Sequence, residues 1–452
     1  MIVTYRNPTV VLIVVLLTVA TTLAVVMPMI RDEPGDQNVY TVAANRLTEG
    51  ARIYRPEEIM AFTYPPFFAL PFVPLAPLSE PVRRGVWYFL NVSMLGTLIL
   101  LVKRHAWPKD WKPAGHMGPP FWVAATLIAV LSGRFLISPV EYQGHDLVVF
   151  LLAALAIRAW SKESNRQAGF WAGLGAACKA TPLLFLPIFV LQRRFAAAAV
   201  FLLTMVAATL LPDLLYPTAD GGLWVTSWYQ NFVAKVEVGA AANADGAWTA
   251  WNLLNQSLAG TLYRLATPVV ERMPFVFDVS LFQLNRTTLK AATIIAQLAV
   301  IGFLVFVTLP ARSRALSGQD RSFQRLGEGS AVLCAMLLLA PMSSKQHFCT
   351  LLVPISFCVI DVFYRRRDPI VIGSLLVVFL FGTLGTKDLI GQSLGNRLLA
   401  YGSLTLCASA CLLATGHVLL CRSRSLSVAK LASEQADELG PSADNRHHTE
   451  AA

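Results

Sequence analysis

The chain has 452 residues, 55% of them hydrophobic and 14% charged, with a mean hydropathy of +0.55. A soluble domain carries about 25% charged residues, so a water-soluble globule is excluded, and so is a disordered chain, which needs low hydropathy. The net charge of +10 reads first as a membrane-orientation signal and not as a nucleic-acid footprint.

A membrane-crossing helix takes about 20 apolar residues. In chain order, apolar runs fall at 8–30, 86–102, 120–138, 146–160, 195–212, 289–309, 329–342, 346–364, 369–385 and 397–420. A further stretch, 168–191, is interrupted by Lys179 and Pro182. The first run is too long for a cleaved signal peptide and reads as an uncleaved anchor. With Arg6 in the cytoplasm, the basic clusters Lys103–Arg104, Arg158–Lys162, Arg193–Arg194 and Arg365–Arg367 fall on one side, as the positive-inside rule asks. That holds only if 168–191 enters and returns as two half-helices meeting near Lys179. The expectation is an all-α integral membrane protein of about 12 membrane segments over 1–421, with both termini cytoplasmic. A polar, unstructured tail occupies 422–452. Two long segments, 31–85 and 213–288, lie outside, and the short loops 139–145, 343–346 and 386–396 share that side.

The first external segment has helix punctuation, with Asp36 at an N-cap position and Gly50 beyond the end. Val39, Val42, Ala43 and Leu47 form an apolar stripe, which predicts an amphipathic helix at the outer membrane surface. Asp36 has two compatible readings, a capping carboxylate or a carboxylate at the mouth of a membrane cavity. The stretch Phe62-Thr63-Tyr64-Pro65-Pro66-Phe67-Phe68 leads into Pro71, Pro74 and Pro77, a spacing that breaks any regular helix. It reads as a surface or re-entrant piece, either a rigid brace or a wall for a lipid chain.

Lys179 would cost about 2.5–3.5 kcal/mol facing lipid, so it is expected to face a polar cavity on the external side. Lys345 and His347 flank a short external loop and are candidates for the same cavity. His145 and Asp146 precede a span and either cap it or face that cavity. Arg134, late in the third span, either snorkels outward or contacts a phosphate. In the second long loop, Trp224, Trp228, Tyr229, Trp248 and Trp251 read as interfacial aromatics or as a platform for a sugar ring. The seven cysteines show no metal-ligand spacing and read as small buried hydrophobes. Asp32 and Glu33 near Asp36 are a weak basis for a metal site, and no Gly-rich phosphate loop is present. No metal or other cofactor is expected, nor a nucleotide-sugar or ATP substrate. The span count alone equally allows a secondary transporter or a lipid flippase. Concentration of polar and aromatic residues in two external loops favours an enzyme over that alternative.

Asp36-x-x-Val39-Tyr40, Ala43-Ala44, Leu47, Gly50 and Tyr54, then Tyr64-Pro65-Pro66, Pro74-Leu75, Leu78, Trp87 and Asn91, form a pattern that resembles glycosyltransferase family 87. The resemblance continues in Gly144, in Ala168-Gly169 with Gly173 and Gly175, in Lys179-x-x-Pro182, and in Ser343-Ser344 with His347. It covers roughly 1–365. Where the family usually shows a Gly-Gln pair with a nearby Asn, this chain has Tyr142-Gln143-Gly144-His145-Asp146. In place of Ser-Trp-x-His-His it has Ser343-Ser344-Lys345-Gln346-His347. The resemblance implies a multi-span GT-C-type helical bundle with external loop helices. It implies transfer of a hexose, mannose first, from a polyprenyl-phosphate donor to a glycolipid or glycan on the outer side of the cell membrane. Asp36 matches the position of the family's catalytic base, and a single base with direct displacement implies inversion without a metal. Tyr40, Tyr64, Lys179, Lys345, His347, His145 and Arg134 are then the candidate substrate contacts.

Overall fold

The computed structural model describes residues 8–30, 35–55, 57–58, 60–106, 121–241, 248–269, 276–309 and 318–438. Arg6, Asp32 and Glu33 lie outside the described residues. Among those described there are helices and no strand, only an isolated bridge between Asn252 and Val276. In chain order the helices are α1 (Pro8–Ile30), α2 (Gln37–Thr48), α3 (Glu80–Ala106), α4 (Phe121–Glu141), α5 (Asp146–Ser161) and α6 (Asn165–Cys178). Then come α7 (Phe185–Leu191), α8 (Phe195–Leu215), α9 (Trp224–Asn231), α10 (Leu258–Ala266) and α11 (Arg286–Val307). The last are α12 (Gly318–Leu339), α13 (Leu352–Tyr364), α14 (Pro369–Val377), α15 (Lys387–Ile390), α16 (Gln392–Ala400) and α17 (Ser403–Glu438).

Among the described residues, six segments are long and apolar enough to cross a membrane: α3, α4, α8, α11, the stretch Lys345–Tyr364, and Ser403–Arg422 of α17. The chain is a multi-pass membrane protein. These six do not confirm the expected count of about 12, and several other apolar runs fold as shorter pieces. The 16 residues of α5 span roughly 24 Å, and α6 and α7 are shorter still. On α8 and α11 the outward apolar side chains stay bare, with Leu203 70%, Leu214 79% and Ile295 67% exposed, a surface that lipid would cover.

Several boundaries differ from the sequence expectation for identifiable reasons. The interrupted stretch does break at Lys179: α6 ends at Cys178, Lys179 is extended, and the chain restarts at Thr181 as a short 3₁₀ turn leading into α7. α12 begins eleven residues before its apolar run. It can do so because its charges are satisfied: Arg325 donates to Glu328 at 2.6 Å and to Gln192 at 2.7 Å, and Gln192 donates to Glu328 at 3.0 Å. The proline-rich piece is a 3₁₀ helix, Pro66–Leu75. Proline removes the N–H of the α-helical ladder, and the tighter i→i+3 winding is what remains open to it. α17 runs on to Glu438, where an unstructured tail is expected from Arg422.

The main core joins α3 to α8 with α12, α13 and α17 through Phe150, Trp160, Phe185, Phe201, Val332 and Phe357. α6 and α8 approach to backbone contact along Gly169 and Gly173, where a Cβ would run into the carbonyls of Ala197 and Phe201. A second cluster packs α2 on the 3₁₀ helix, with Tyr40, Tyr54, Phe62, Phe68, Phe72, Trp87 and Trp224. The buried face of α2 is Tyr40, Ala43, Ala44 and Leu47, with Val39 and Val42 half-buried. The helix is thus turned by about one position from the predicted stripe, because its inner face meets protein.

Candidate active site

The first loop enters the site at Gly35-Asp36. The Asp36 amide donates to the Tyr142 carbonyl at 3.0 Å, which ties the start of α2 to the loop between α4 and α5. Asp36 stands at the N-cap of α2 yet makes no side-chain capping bond. Its Oδ2 instead accepts from Nε2 of Gln346 at 3.1 Å. The carboxylate is therefore held for something other than helix capping. Burial pushes its pKa up to about 6; the Gln346 hydrogen bond opposes the rise, the Asp146 charge adds to it and the Lys179 ammonium opposes it.

Lys179 projects from the break after α6 into a ring of three side chains. Its Nζ lies 2.6 Å from Nε2 of His347, 3.2 Å from Nε2 of His145 and 3.3 Å from Oδ1 of Asp146. His347 receives the Ser344 amide on Nδ1 at 3.0 Å. That leaves Nε2 as the protonated nitrogen of a neutral ring, able to donate to Asp146 Oδ1 at 3.3 Å. Asp146 Oδ2 is buried with no hydrogen-bond partner among the described residues. The enclosed space here, lined by Asp146, Lys179, Thr181, Ser343 and His347, is about 20 Å³, room for one water. A phosphate can enter only if side chains move.

His145 sits at the N-cap of α5 without capping it. Its Nδ1 is 3.1 Å from the Tyr40 hydroxyl, and its ring centroid is 4.2 Å from that of Tyr64 and 5.2 Å from that of Phe68. Tyr40 and Tyr64 therefore form the aromatic wall that fixes His145 against Lys179. Two residues before it, Gln143 is held by its neighbours: the Trp87 indole donates to its carbonyl at 2.8 Å, and its own Nε2 donates to Tyr88 at 3.2 Å.

Of the eight candidates, Asp36, Tyr40, Tyr64, His145, Lys179 and His347 come together in this way. Lys345 and Arg134 do not. Arg134 donates to the Gly382 carbonyl at 3.0 Å, inside the π-helical stretch Val378–Leu384. Lys345 lies under the charges of Arg134, Glu141, Asp388 and Lys387. Gln346, which offers no charge to notice, is a site residue the sequence reading missed, and Asp146, open there to a capping or a cavity-facing reading, stands in the cavity. The tryptophans of the second loop are pins of the framework. Trp224 donates to Tyr216 O at 2.7 Å, Trp228 to Thr63 O at 3.3 Å and Trp251 to Thr267 Oγ1 at 3.1 Å. Of the five aromatics, Tyr229 alone is exposed.

The model of glycosyltransferase family 87 matches residues 62–341. A polyprenol-phosphate-mannose-dependent alpha-(1-2)-phosphatidylinositol mannoside mannosyltransferase of Mycobacterium tuberculosis is 28% identical over 269 residues, 56% of this chain and 58% of that one. The matched part thus spans little more than half of that relative. The enzyme of the same name from Mycolicibacterium smegmatis is 25% identical over 351 residues, 74% of this chain and 71% of that one. A looser likeness, 14% identical with a TM-score of 0.33 over 95% of this chain and 81% of the other, is to the crystal structure of ArnT from Cupriavidus metallidurans bound to undecaprenyl phosphate.

Proposed function

The chain belongs to glycosyltransferase family 87, and we propose that it transfers mannose from a polyprenyl-phosphate donor to a mannosylated phosphatidylinositol lipid on the outer side of the membrane. The observation that carries this reading is the pairing of a half-buried carboxylate, Asp36, with a chain-supplied cation, Lys179, across one small centre. Asp36 accepts the proton of the acceptor hydroxyl as that oxygen attacks the anomeric carbon. The bond from that carbon to the phosphate oxygen breaks, and the leaving phosphate takes the electron pair. Lys179 turns from His347 to the phosphate and stabilises its growing charge. With one base the displacement inverts the anomeric carbon, so an α-linked product requires a β-linked donor. The relatives' printed names, with mannose donor and phosphatidylinositol mannoside acceptor, support the choice of both substrates.

The outward placement rests on the positive-inside count, and the geometry supports it. The loops expected to share the external side, 31–85, 139–145 and 343–346, supply Asp36, Tyr142, His145 and Gln346 to one site. A cavity of about 250 Å³ opens beside Gly35, between Val39 and Val42 of α2 and the Arg46–Glu58 pair, and gives the acceptor a way in. In this reading both termini are cytoplasmic and the donor's lipid tail runs along the apolar 3₁₀ helix 66–75.

The test is turnover by the purified chain with radiolabelled polyprenyl-phosphate mannose and a set of phosphatidylinositol mannosides. Label should move to the glycolipid, and Lys179→Gln should slow it by about 10²–10³. Label that stays on the donor with every acceptor, or a Lys179→Gln variant as fast as wild type, overturns the reading.

A further inference from the structure

Away from this site, α14 and α17 meet at a second group of coordinating side chains. His417 and Cys421 are four residues apart on α17 and so share one helix face. Asp368 caps α14, its Oδ1 accepting from the Ile370 amide at 2.9 Å, which turns Oδ2 toward α17. Oδ2 lies 2.9 Å from Nε2 of His417, and Nε2 lies 3.5 Å from Sγ of Cys421. The three ligand atoms all fall within 4.8 Å of one another. A tetrahedral Zn²⁺ with bonds of about 2.0–2.3 Å holds its ligand atoms about 3.3–3.6 Å apart. The sulfur–nitrogen spacing already matches that value, and the oxygen–nitrogen pair needs to open by only a few tenths of an ångström.

The surroundings allow a cation despite three nearby arginines. Arg365 and Arg422 are both drawn to Asp320, at 2.9 and 2.7 Å, and both lie over the Phe323 ring. Arg366 approaches Asp368 only to 3.8 Å. Asp361 adds a further carboxylate to the lining of a cavity of about 430 Å³ that opens on the three ligands, so a fourth position is open to water.

We propose that Asp368, His417 and Cys421 form a Zn²⁺ site that fastens α14 to the end of α17. Borderline-soft Zn²⁺ suits a mixed nitrogen, sulfur and oxygen set. Binding converts the Cys421 thiol to a thiolate and releases its proton to solvent. The site stands apart from Asp36 and Lys179, so it does not depend on the proposed transfer reaction.

The chain has seven cysteines; six are buried and Cys421 alone is half-exposed, which makes it a selective reporter. Purified full-length protein, stripped with a chelator, is titrated with Zn²⁺ and with Co²⁺. One equivalent should bind, Co²⁺ should show thiolate charge-transfer absorption with tetrahedral visible bands, and Zn²⁺ should slow maleimide labelling of Cys421 at least tenfold. Cys421→Ser should abolish the charge-transfer band, and Asp368→Asn, which keeps an oxygen for the Ile370 amide, should weaken Zn²⁺ binding at least tenfold. Less than one-fifth of an equivalent bound by wild type, unchanged labelling with Zn²⁺, or binding unaltered in both variants overturns the proposal.

Discussion

Replacing Asp36 by Asn separates the charge of this residue from its shape. The amide keeps an oxygen for Gln346 Nε2, now 3.1 Å from Oδ2, and the backbone bond to Tyr142 is untouched, so the fold is expected to survive. What is lost is the acceptor for the sugar hydroxyl proton. General-base catalysis contributes about 10²–10⁴ in rate, equal to about 3–5 kcal/mol of barrier, and the variant should slow by that factor. The wild type carries a second signature. With burial holding the carboxyl up to about 6, roughly nine-tenths is ionised at pH 7 and roughly one-tenth at pH 5. The active form is the ionised one, so the rate should fall about tenfold from pH 7 to pH 5 and level off above pH 7. The assay is the initial rate of label transfer from polyprenyl-phosphate mannose across pH 4.5–8, with both substrates below saturation. An Asn variant within a few-fold of wild type refutes the assignment of the base. So does a slowed variant that retains the same acid limb, since the limb would then belong to another group.

Two further outcomes follow from contacts around this site and from one outside it. Gln346→Ala removes the hydrogen bond that lowers the Asp36 pKa, so the acid limb should move above pH 6; Gly144→Ala should move it the same way, because its new Cβ strikes the Gln346 carboxamide. Combined, the two should shift the limb no further than Gln346→Ala alone, and additive shifts in the same pH–rate assay would show that they act through different partners. Arg264, 1% exposed, donates to the carbonyls of Ala400, Ala250 and Asn255 at 2.9, 2.8 and 2.6 Å. Arg264→Lys keeps the charge but not the fork, strands buried carbonyls, and should cost about 2–4 kcal/mol, read as a lower Tm; an unchanged Tm refutes the role.

The membrane-embedded part of this molecule could be read from composition because lipid imposes a coarse rule: long apolar runs stand out, and so does a lysine followed by proline inside one. The break at Lys179 was visible for that reason. The partners of Lys179 were harder to group. His145 and His347 are marked by residue type, but Asp146 fits a capping acid as well as a cavity-facing one. Gln346 lies 310 residues from Asp36, and an uncharged amide leaves no trace in charge or hydropathy. The face of α2 was misjudged by one position because hydrophobicity favours the valines, whereas Tyr40 goes inward to meet His145.

Lys345 shows most clearly what local winding decides. It is two residues from His347, and a shared external loop makes a shared cavity the natural reading. Residues 345–351 wind as a 3₁₀ helix, with about three residues per turn, so side chains two positions apart diverge by about 120°. Once the Ser344 amide fixes the His347 ring toward Asp146 and Lys179, Lys345 must point elsewhere, and it lies under the charges of Arg134, Glu141, Asp388 and Lys387. Gln346, one position on, is the residue turned toward Asp36. A loop of five residues thus sends one side chain to the carboxylate, one to the cation and one to neither, a division set by helix pitch and not by residue type.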